Sequence, residues 1–179
     1  MPLVIIPRSI ISLATFPGVI VHEFAHQLSC RLTGTAVFEV CYYRFGNPAG
    51  YVRHERPRTP LRQFVIAMAP FIVNSVLGAV IAASAMIRAF TFFQPDALDL
   101  ILIWLGISVS MYAFPSTGDA RALLDNIRNN RASWLIEALV MPFILLIYFG
   151  AFITMFWGDV LYGIGVTTGF SKFLVDCWQ

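Results

Sequence analysis

The stretch from Leu61 to Ala89, LRQFVIAMAPFIVNSVLGAVIAASAMIRA, decides the class of this fold. It is apolar over almost its whole length, and Arg62 and Arg88 lie close to its two ends. About 20 consecutive apolar residues are enough for a helix to cross the hydrocarbon core of a bilayer. The stretch therefore predicts a transmembrane helix, with Thr59 as its N-cap and Pro60 as its first residue.

The composition of the whole chain also indicates a membrane protein. Of its 179 residues, 58% are hydrophobic and only 12% are charged, whereas about 25% are charged in an ordinary soluble domain. So few charges cannot cover the surface of a soluble particle of 20.0 kDa, and so many apolar residues exclude a disordered chain. The net charge of +2 is too small to indicate a nucleic-acid partner, so the expected environment is the lipid bilayer.

Further apolar stretches complete the predicted organisation. We expect an all-α polytopic membrane protein with about four to five transmembrane helices and a small cytoplasmic-side β-hairpin, in one domain over residues 1–179. Pro17 and Gly18 predict a bend in the first span. The predicted spans are about residues 3–28, 61–89, 97–114 and 134–157, with the hairpin at about 35–56 and a possible fifth segment at 158–179.

The arginines predict the orientation of the chain. Six of them lie between residues 31 and 62, and three more lie between the third and fourth predicted spans. Cytoplasmic loops of membrane proteins carry an excess of Lys and Arg. We therefore expect the hairpin, and a polar amphipathic helix at about residues 119–130, on the cytoplasmic side, with the N-terminus outside.

The candidate chemistry lies in the first predicted span, in the pentapeptide HEFAH at residues 22–26. Two histidines four residues apart share one helical face, so His22 and His26 can bind one metal ion. Glu23 could act as the general base towards a water that a zinc ion activates. Because polar groups are costly in hydrocarbon, such a cluster indicates a functional site. The alternative is a cluster at the membrane interface that is simply solvated.

A catalytic zinc site needs a third protein ligand and an open position. Asp119 is the favoured candidate, because it follows the helix-breaking sequence PSTG at residues 115–118, at the predicted cytoplasmic end of the third span. By position alone, Asp119 is explained equally well as a helix-capping acid. His54 on the hairpin and Glu137 at the start of the fourth span remain alternative ligands.

The order of these motifs resembles the site-2 protease family of intramembrane zinc metalloproteases. In that family, His-Glu-x-x-His in a transmembrane helix is followed by a hairpin, a Gly/Pro-x-x-x-Asn element and a Pro-containing stretch that ends in Asp-Gly. Here APFIVN at residues 69–74 and FPSTGDA at residues 114–120 occupy the last two places. The usual Asp-Gly pair is Asp119-Ala120 in this chain, and the Asn-Pro opening of that element is missing.

The resemblance implies a role for each residue. His22, His26 and Asp119 would bind Zn²⁺, and Glu23 would activate the water. Asn74 would polarise the substrate carbonyl or stabilise the oxyanion. For Asn74, an interhelical hydrogen bond is the alternative role.

The function implied by the resemblance is hydrolysis of peptide bonds in or near transmembrane segments of other membrane proteins. The chain would be a minimal member with no PDZ domain, and its substrate would be a single-span helix. The hairpin strand at residues 35–45 could pair with an unwound substrate segment or could cap the cavity. Two alternatives stay open: another membrane-bound zinc peptidase that acts on peptides at the interface, and a non-catalytic metal-binding scaffold.

Overall fold

The described residues, 8–130 and 134–178, form seven α-helices and one pair of β-strands in the computed structural model. The helices are α1 (Arg8–Ala14), α2 (Phe16–Leu32), α3 (Pro60–Ile87), α4 (Ala97–Met111), α5 (Thr117–Asn129), α6 (Trp134–Ile153) and α7 (Gly158–Trp178). The strands are β1 (Val37–Cys41) and β2 (Tyr51–His54). The predicted mainly helical fold with one small hairpin is therefore confirmed.

The first predicted span is interrupted, as Pro17 and Gly18 led us to expect. α1 ends at Ala14, and α2 begins at Phe16 with Pro17 in its first turn, where a missing N–H costs nothing. The indole N–H of Trp104 donates to the Ala14 carbonyl at 3.2 Å, so the break has a hydrogen-bond partner on α4. Residues 3–7 of this predicted span lie outside the described residues.

α3 begins where local signals predict. Thr59 is its N-cap, with the Thr59 hydroxyl accepting from the Arg62 N–H at 3.4 Å, and Pro60 is its first residue. Within the described residues, two helical segments are long and apolar enough to cross a membrane: Pro60–Phe90 and Trp134–Ile153. α4 is a shorter apolar helix of 15 residues that ends at Met111, before the predicted end at residue 114. The four-to-five-span arrangement and its orientation stay predictions.

α3 and α4 pack closely because small residues face one another where they cross. A Cβ atom on Gly106 would lie 2.6 Å from both the Ala82 Cβ and the Gly78 carbonyl oxygen. Small residues let helix backbones approach in this way in membrane proteins. The pairing of α3 with α4 therefore depends on these glycines.

The connection between α3 and α4 is held by an ion-pair cluster. α3 continues into a π-helical turn at Arg88–Phe92. The Arg88 guanidinium lies 2.8 Å from Asp96 Oδ2 and 3.2 Å from Asp99 Oδ2. Asp96 and Asp99 also form a capping box at the start of α4, which satisfies backbone N–H groups that a helix leaves without partners.

α5 is the polar helix predicted near residues 119–130, and it packs its apolar face against α3 and α6. The shared core contains these buried side chains: Met68, Ala120, Leu123, Ile127, Val140, Ile144 and Ile147. Burial of this face holds the first turn of α5, and with it Asp119, against the other helices. The outward face of α6 exposes large apolar residues, including Leu139 at 70% and Leu145 at 64%, as expected of a lipid-facing surface.

Residues 158–178, which the sequence left open, form one regular helix. α7 packs against α3 and α4. A Cβ atom on Gly163 would lie 3.0 Å from the Ile107 carbonyl oxygen of α4, so this glycine allows a close helix–helix contact. α7 has 21 residues but is less apolar than the two segments that could cross a membrane.

The hairpin is present, and it lies along α2. β1 and β2 are antiparallel, with Val40 opposite Val52 and Cys41 opposite Tyr51. The Tyr42 hydroxyl donates to the Gln27 side-chain oxygen. The Tyr43 ring lies 6.0 Å from the Phe16 ring, centroid to centroid. The hairpin therefore covers one side of α2 from its first turn to the residue after His26.

Candidate metal centre

Three candidate metal ligands from distant parts of the chain come together. One ligand atom from each of His22, His26 and Asp119 lies within 4.8 Å of the other two. His26 Nε2 is 3.5 Å from Asp119 Oδ1, and the two imidazole rings meet edge to face at 4.8 Å between centroids. Within residues 8–130 and 134–178, no other group of three His, Cys, Asp or Glu side chains is arranged closely enough to hold a metal ion.

Both histidines are oriented by backbone carbonyls. His22 Nδ1 lies 2.7 Å from the Tyr112 carbonyl oxygen, and His26 Nδ1 lies 2.9 Å from the Ile66 carbonyl oxygen. A carbonyl only accepts hydrogen bonds, so each Nδ1 carries the proton and donates it. In the neutral rings, each Nε2 keeps its lone pair for the cluster. Metal-binding histidines in proteins are held in the same way.

Asp119 caps α5, which is one of the two roles that the sequence offered for it, and its second oxygen faces the histidines. Its Oδ2 atom accepts from the Ser116 N–H and from the Ser116 hydroxyl, both at 2.7 Å. The Asp119 N–H donates to the same hydroxyl at 3.2 Å, which completes a capping box at the start of α5. Its Oδ1 atom faces His26. One carboxylate oxygen thus caps the helix while the other joins the cluster.

Glu23 lies between the cluster and the hairpin. Its residue is only 7% exposed, and its carboxylate is near enough to Asp119 for their charges to interact. On the other side, a Cβ atom on Gly50 would lie 2.7 Å from Glu23 Cγ and 3.0 Å from Glu23 Oε1. Phe16, Glu23 and Gln27 occupy one face of α2 by their spacing, so the hairpin covers the face that carries the candidate base.

Asn74 makes interhelical hydrogen bonds, one of them to the helix that carries the histidines. Its side-chain N–H groups donate to the Gly18 carbonyl at 3.2 Å and to the Val109 carbonyl at 3.0 Å, which joins α3 to α2 and α4. Gly18 precedes His22 by four residues, so Asn74 contacts α2 one helical turn before the first histidine. The interhelical role is therefore present, and the oxyanion role stays a prediction.

The two alternative third ligands lie elsewhere. His54 Nδ1 forms a hydrogen bond with the adjacent Glu55 carbonyl on the hairpin. Glu137 is exposed on the first turn of α6. Neither residue belongs to the group formed by His22, His26 and Asp119.

Sequence reasoning missed the partners that orient the ligands. Ser116 had a recognisable signal, because Ser-x-x-Asp at the start of a polar helix is close to the capping-box pattern. The Ile66 and Tyr112 carbonyls had none in the side-chain pattern, because any residue carries a carbonyl. Their contribution depends on where the backbone runs and on which N–H groups compete for them.

No protein-family model matches the chain. No curated protein and no solved structure matches it either. A functional conclusion therefore depends on the geometry of the cluster and on the motif order described above.

Proposed function

We propose that this chain is an integral-membrane zinc metalloendopeptidase that hydrolyses peptide bonds in or near transmembrane segments of membrane proteins. The observation that carries the proposal is the approach of His22, His26 and Asp119 ligand atoms to within 4.8 Å of one another. Two imidazoles and one carboxylate are a donor set that catalytic zinc sites use, with the fourth position left open. The hydrogen bonds to the far side of each ligand also suit a metal centre.

Each residue has a defined part in this chemistry. His22, His26 and Asp119 would hold Zn²⁺, which when bound supplies Lewis acidity towards water and the substrate carbonyl. Glu23 would accept the proton of the attacking water and pass it to the nitrogen of the leaving amine. Burial of Glu23 beneath the hairpin keeps its carboxylate near the ligands and away from bulk solvent.

The position of the cluster along α3 supports a membrane location near one surface. Ile66, the partner of His26, lies six residues after the first residue of α3, which corresponds to a depth of roughly 9 Å. The arginine-rich segment 31–62 leads into this end of α3. We therefore infer a multi-pass protein with the centre towards the cytoplasmic side and the N-terminus outside.

A membrane-protein substrate suits this location. A peptide bond inside a helix is shielded by its own turn, so the substrate helix must unwind before hydrolysis. β1 pairs with β2 on one edge in the described sheet, and an extended substrate segment could add to its other edge. A single-span helix from the surrounding bilayer is the substrate class that we infer.

Reconstitution with a single-span substrate tests the proposal. Wild-type protein should bind about one zinc ion per chain and cleave the substrate, whereas Glu23→Gln should bind zinc without cleaving. Equal cleavage by both proteins would show that the mechanism is wrong. Zinc binding with no cleavage of any tested substrate would favour the non-catalytic scaffold, and cleavage of soluble peptides alone would favour an interfacial peptidase.

The ligand assignment has its own matched set of variants. Asp119→Ala should lose zinc, because it removes one of three ligands. His54→Ala and Glu137→Ala should retain zinc, because neither side chain belongs to the cluster. Zinc analysis of purified protein after dialysis measures all three, and full retention by Asp119→Ala would exclude it as a required ligand.

A further inference from the structure

The carbonyl that orients His26 belongs to Ile66, and the residue four positions further along α3 is Pro70. In an α-helix, the carbonyl of residue 66 accepts from the N–H of residue 70. Proline has no N–H, and its ring presses against the carbonyl four residues before it. His26 Nδ1, at 2.9 Å from the Ile66 oxygen, supplies the donor that Pro70 lacks.

The hydrogen bond from His26 to the Ile66 carbonyl is important because both residues are buried. Ile66 is 1% exposed and His26 is 6% exposed, and Pro70 is also fully buried. A buried carbonyl without a donor is unfavourable because water cannot replace the missing hydrogen bond. The Ile66 carbonyl and the His26 Nδ1–H group therefore satisfy each other, and this pairing selects one tautomer of His26.

We propose that Pro70 is a positioning residue for the metal centre. By withholding the helical N–H from the Ile66 carbonyl, it keeps that carbonyl directed at His26 Nδ1. His26 Nε2 then faces Asp119 Oδ1, 3.5 Å away, with its lone pair available to a metal ion. This inference rests on the metal centre of the proposed function, but it concerns a residue that is not itself a ligand.

α6 supplies a matched control for this proposal. Pro142 lies inside α6, as Pro70 lies inside α3. α6 contributes none of the three ligands. A Pro142→Ala substitution therefore restores a helical N–H without changing any carbonyl that orients a histidine.

Zn²⁺ titration of the metal-stripped, detergent-solubilised full chain measures the effect. The thermal unfolding midpoint of Pro70→Ala checks that the variant is folded. The same variant should bind Zn²⁺ about 10–100-fold more weakly, as when a group that orients a ligand is lost. Pro142→Ala should raise the midpoint with unchanged Zn²⁺ affinity. Unchanged Zn²⁺ affinity in Pro70→Ala, or an equal loss in Pro142→Ala, would overturn the proposal.

A second measurement needs no metal. Imidazole ¹⁵N NMR of metal-free protein, which has only three histidines, should show His26 protonated at Nδ1 in the wild type. Pro70→Ala should show a mixture of tautomers, and an unchanged spectrum would overturn the proposal. Pro70→Gly restores the same N–H without a side chain if the alanine variant folds poorly. Absence of Zn²⁺ binding by wild type would contradict the proposed function, whereas the tautomer measurement still decides the role of Pro70.

Discussion

A Ser116→Ala substitution separates the capping role of Asp119 from its proposed role as a metal ligand. The Ser116 hydroxyl donates to Asp119 Oδ2 at 2.7 Å and accepts from the Asp119 N–H at 3.2 Å. Alanine removes both hydrogen bonds and leaves the Ser116 N–H bond to Oδ2, also at 2.7 Å. Asp119 keeps one of its two Ser116 donors, so its other oxygen is held less firmly towards His26.

The magnitudes follow from these bonds. Loss of an N-cap hydroxyl costs about 1 kcal/mol of folding free energy, which lowers the Tm of a protein of this size by about 2–4 °C. Loss of a group that orients a ligand lowers metal affinity by about 10–100-fold. Because the backbone donor remains, we expect a loss of zinc affinity of about tenfold, or about 1.4 kcal/mol.

The assay compares two N-caps. Thr59 caps α3 and accepts from the Arg62 N–H at 3.4 Å, without belonging to the metal cluster. Thr59→Ala should lower the Tm of the metal-free protein by a similar or smaller amount and leave zinc affinity unchanged. Thermal unfolding and Zn²⁺ competition with a chromophoric chelator measure the two quantities. Equal zinc affinities for the Ser116→Ala and Thr59→Ala proteins would refute the reasoning.

Three further predictions concern other parts of the chain. Asn74→Ala should lower the free energy of unfolding by about 1–3 kcal/mol, because it removes two buried hydrogen bonds. If the variant lost cleavage at unchanged stability, Asn74 would have a catalytic role instead. Gly50→Ala should lower kcat at unchanged zinc content, because the new Cβ would press on Glu23. Gly46→Ala is the control: a Cβ there has nothing within 4 Å, so its kcat should match that of wild type. Equal kcat values for the two variants would contradict the effect on Glu23. The backbone N–H of Asp99, and then Arg88, lower the pKa of Asp96 from its usual 3.8. The stability that this provides is present above pH 3.8 and is lost as the pH falls further. The Tm difference between wild type and Asp96→Ala should therefore narrow as the pH is lowered below 3.8, and a constant difference would contradict the assignment.

The start of α3 and the histidine pair could be predicted because their signals are local. Thr59 and Pro60 specify a helix start by their own chemistry. His22 and His26 share a face because a helix repeats every 3.6 residues. An apolar helix over most of Leu61–Ala89 follows from the composition of that stretch. Each of these predictions needed only one continuous stretch of the chain.

Asp119 could be predicted only as a choice between two roles. A local pattern identifies the cap, whereas the approach of Asp119 to His26 depends on how α5 packs against α3 and α6. From the sequence alone the two roles were alternatives, because the sequence does not show that the two carboxylate oxygens can have different partners. The carboxylate has two oxygens, and the structure uses them separately.

Close backbone contacts account for the features that the sequence did not predict. The sequence left residues 158–179 open as a possible fifth segment, whereas α7 is one regular helix, and Gly163 lets it approach α4 closely. The placement of the hairpin along α2 depends on contacts of Tyr42, Tyr43 and Gly50 with residues far from them in sequence. Such contacts leave no periodic pattern in the chain.

The groups that surround the histidines come from later parts of the chain, so the ribosome adds them after the histidines themselves. His22 receives its orienting carbonyl from Tyr112, which follows it by 90 residues, and Asp119 comes later still. At typical rates of translation, the ribosome needs about 5–20 s to add that length of chain. Both imidazoles are therefore synthesised before the carbonyls that orient them exist. A nascent chain that is interrupted before α5 has the His-Glu-x-x-His motif but cannot bring Asp119 to the histidine pair.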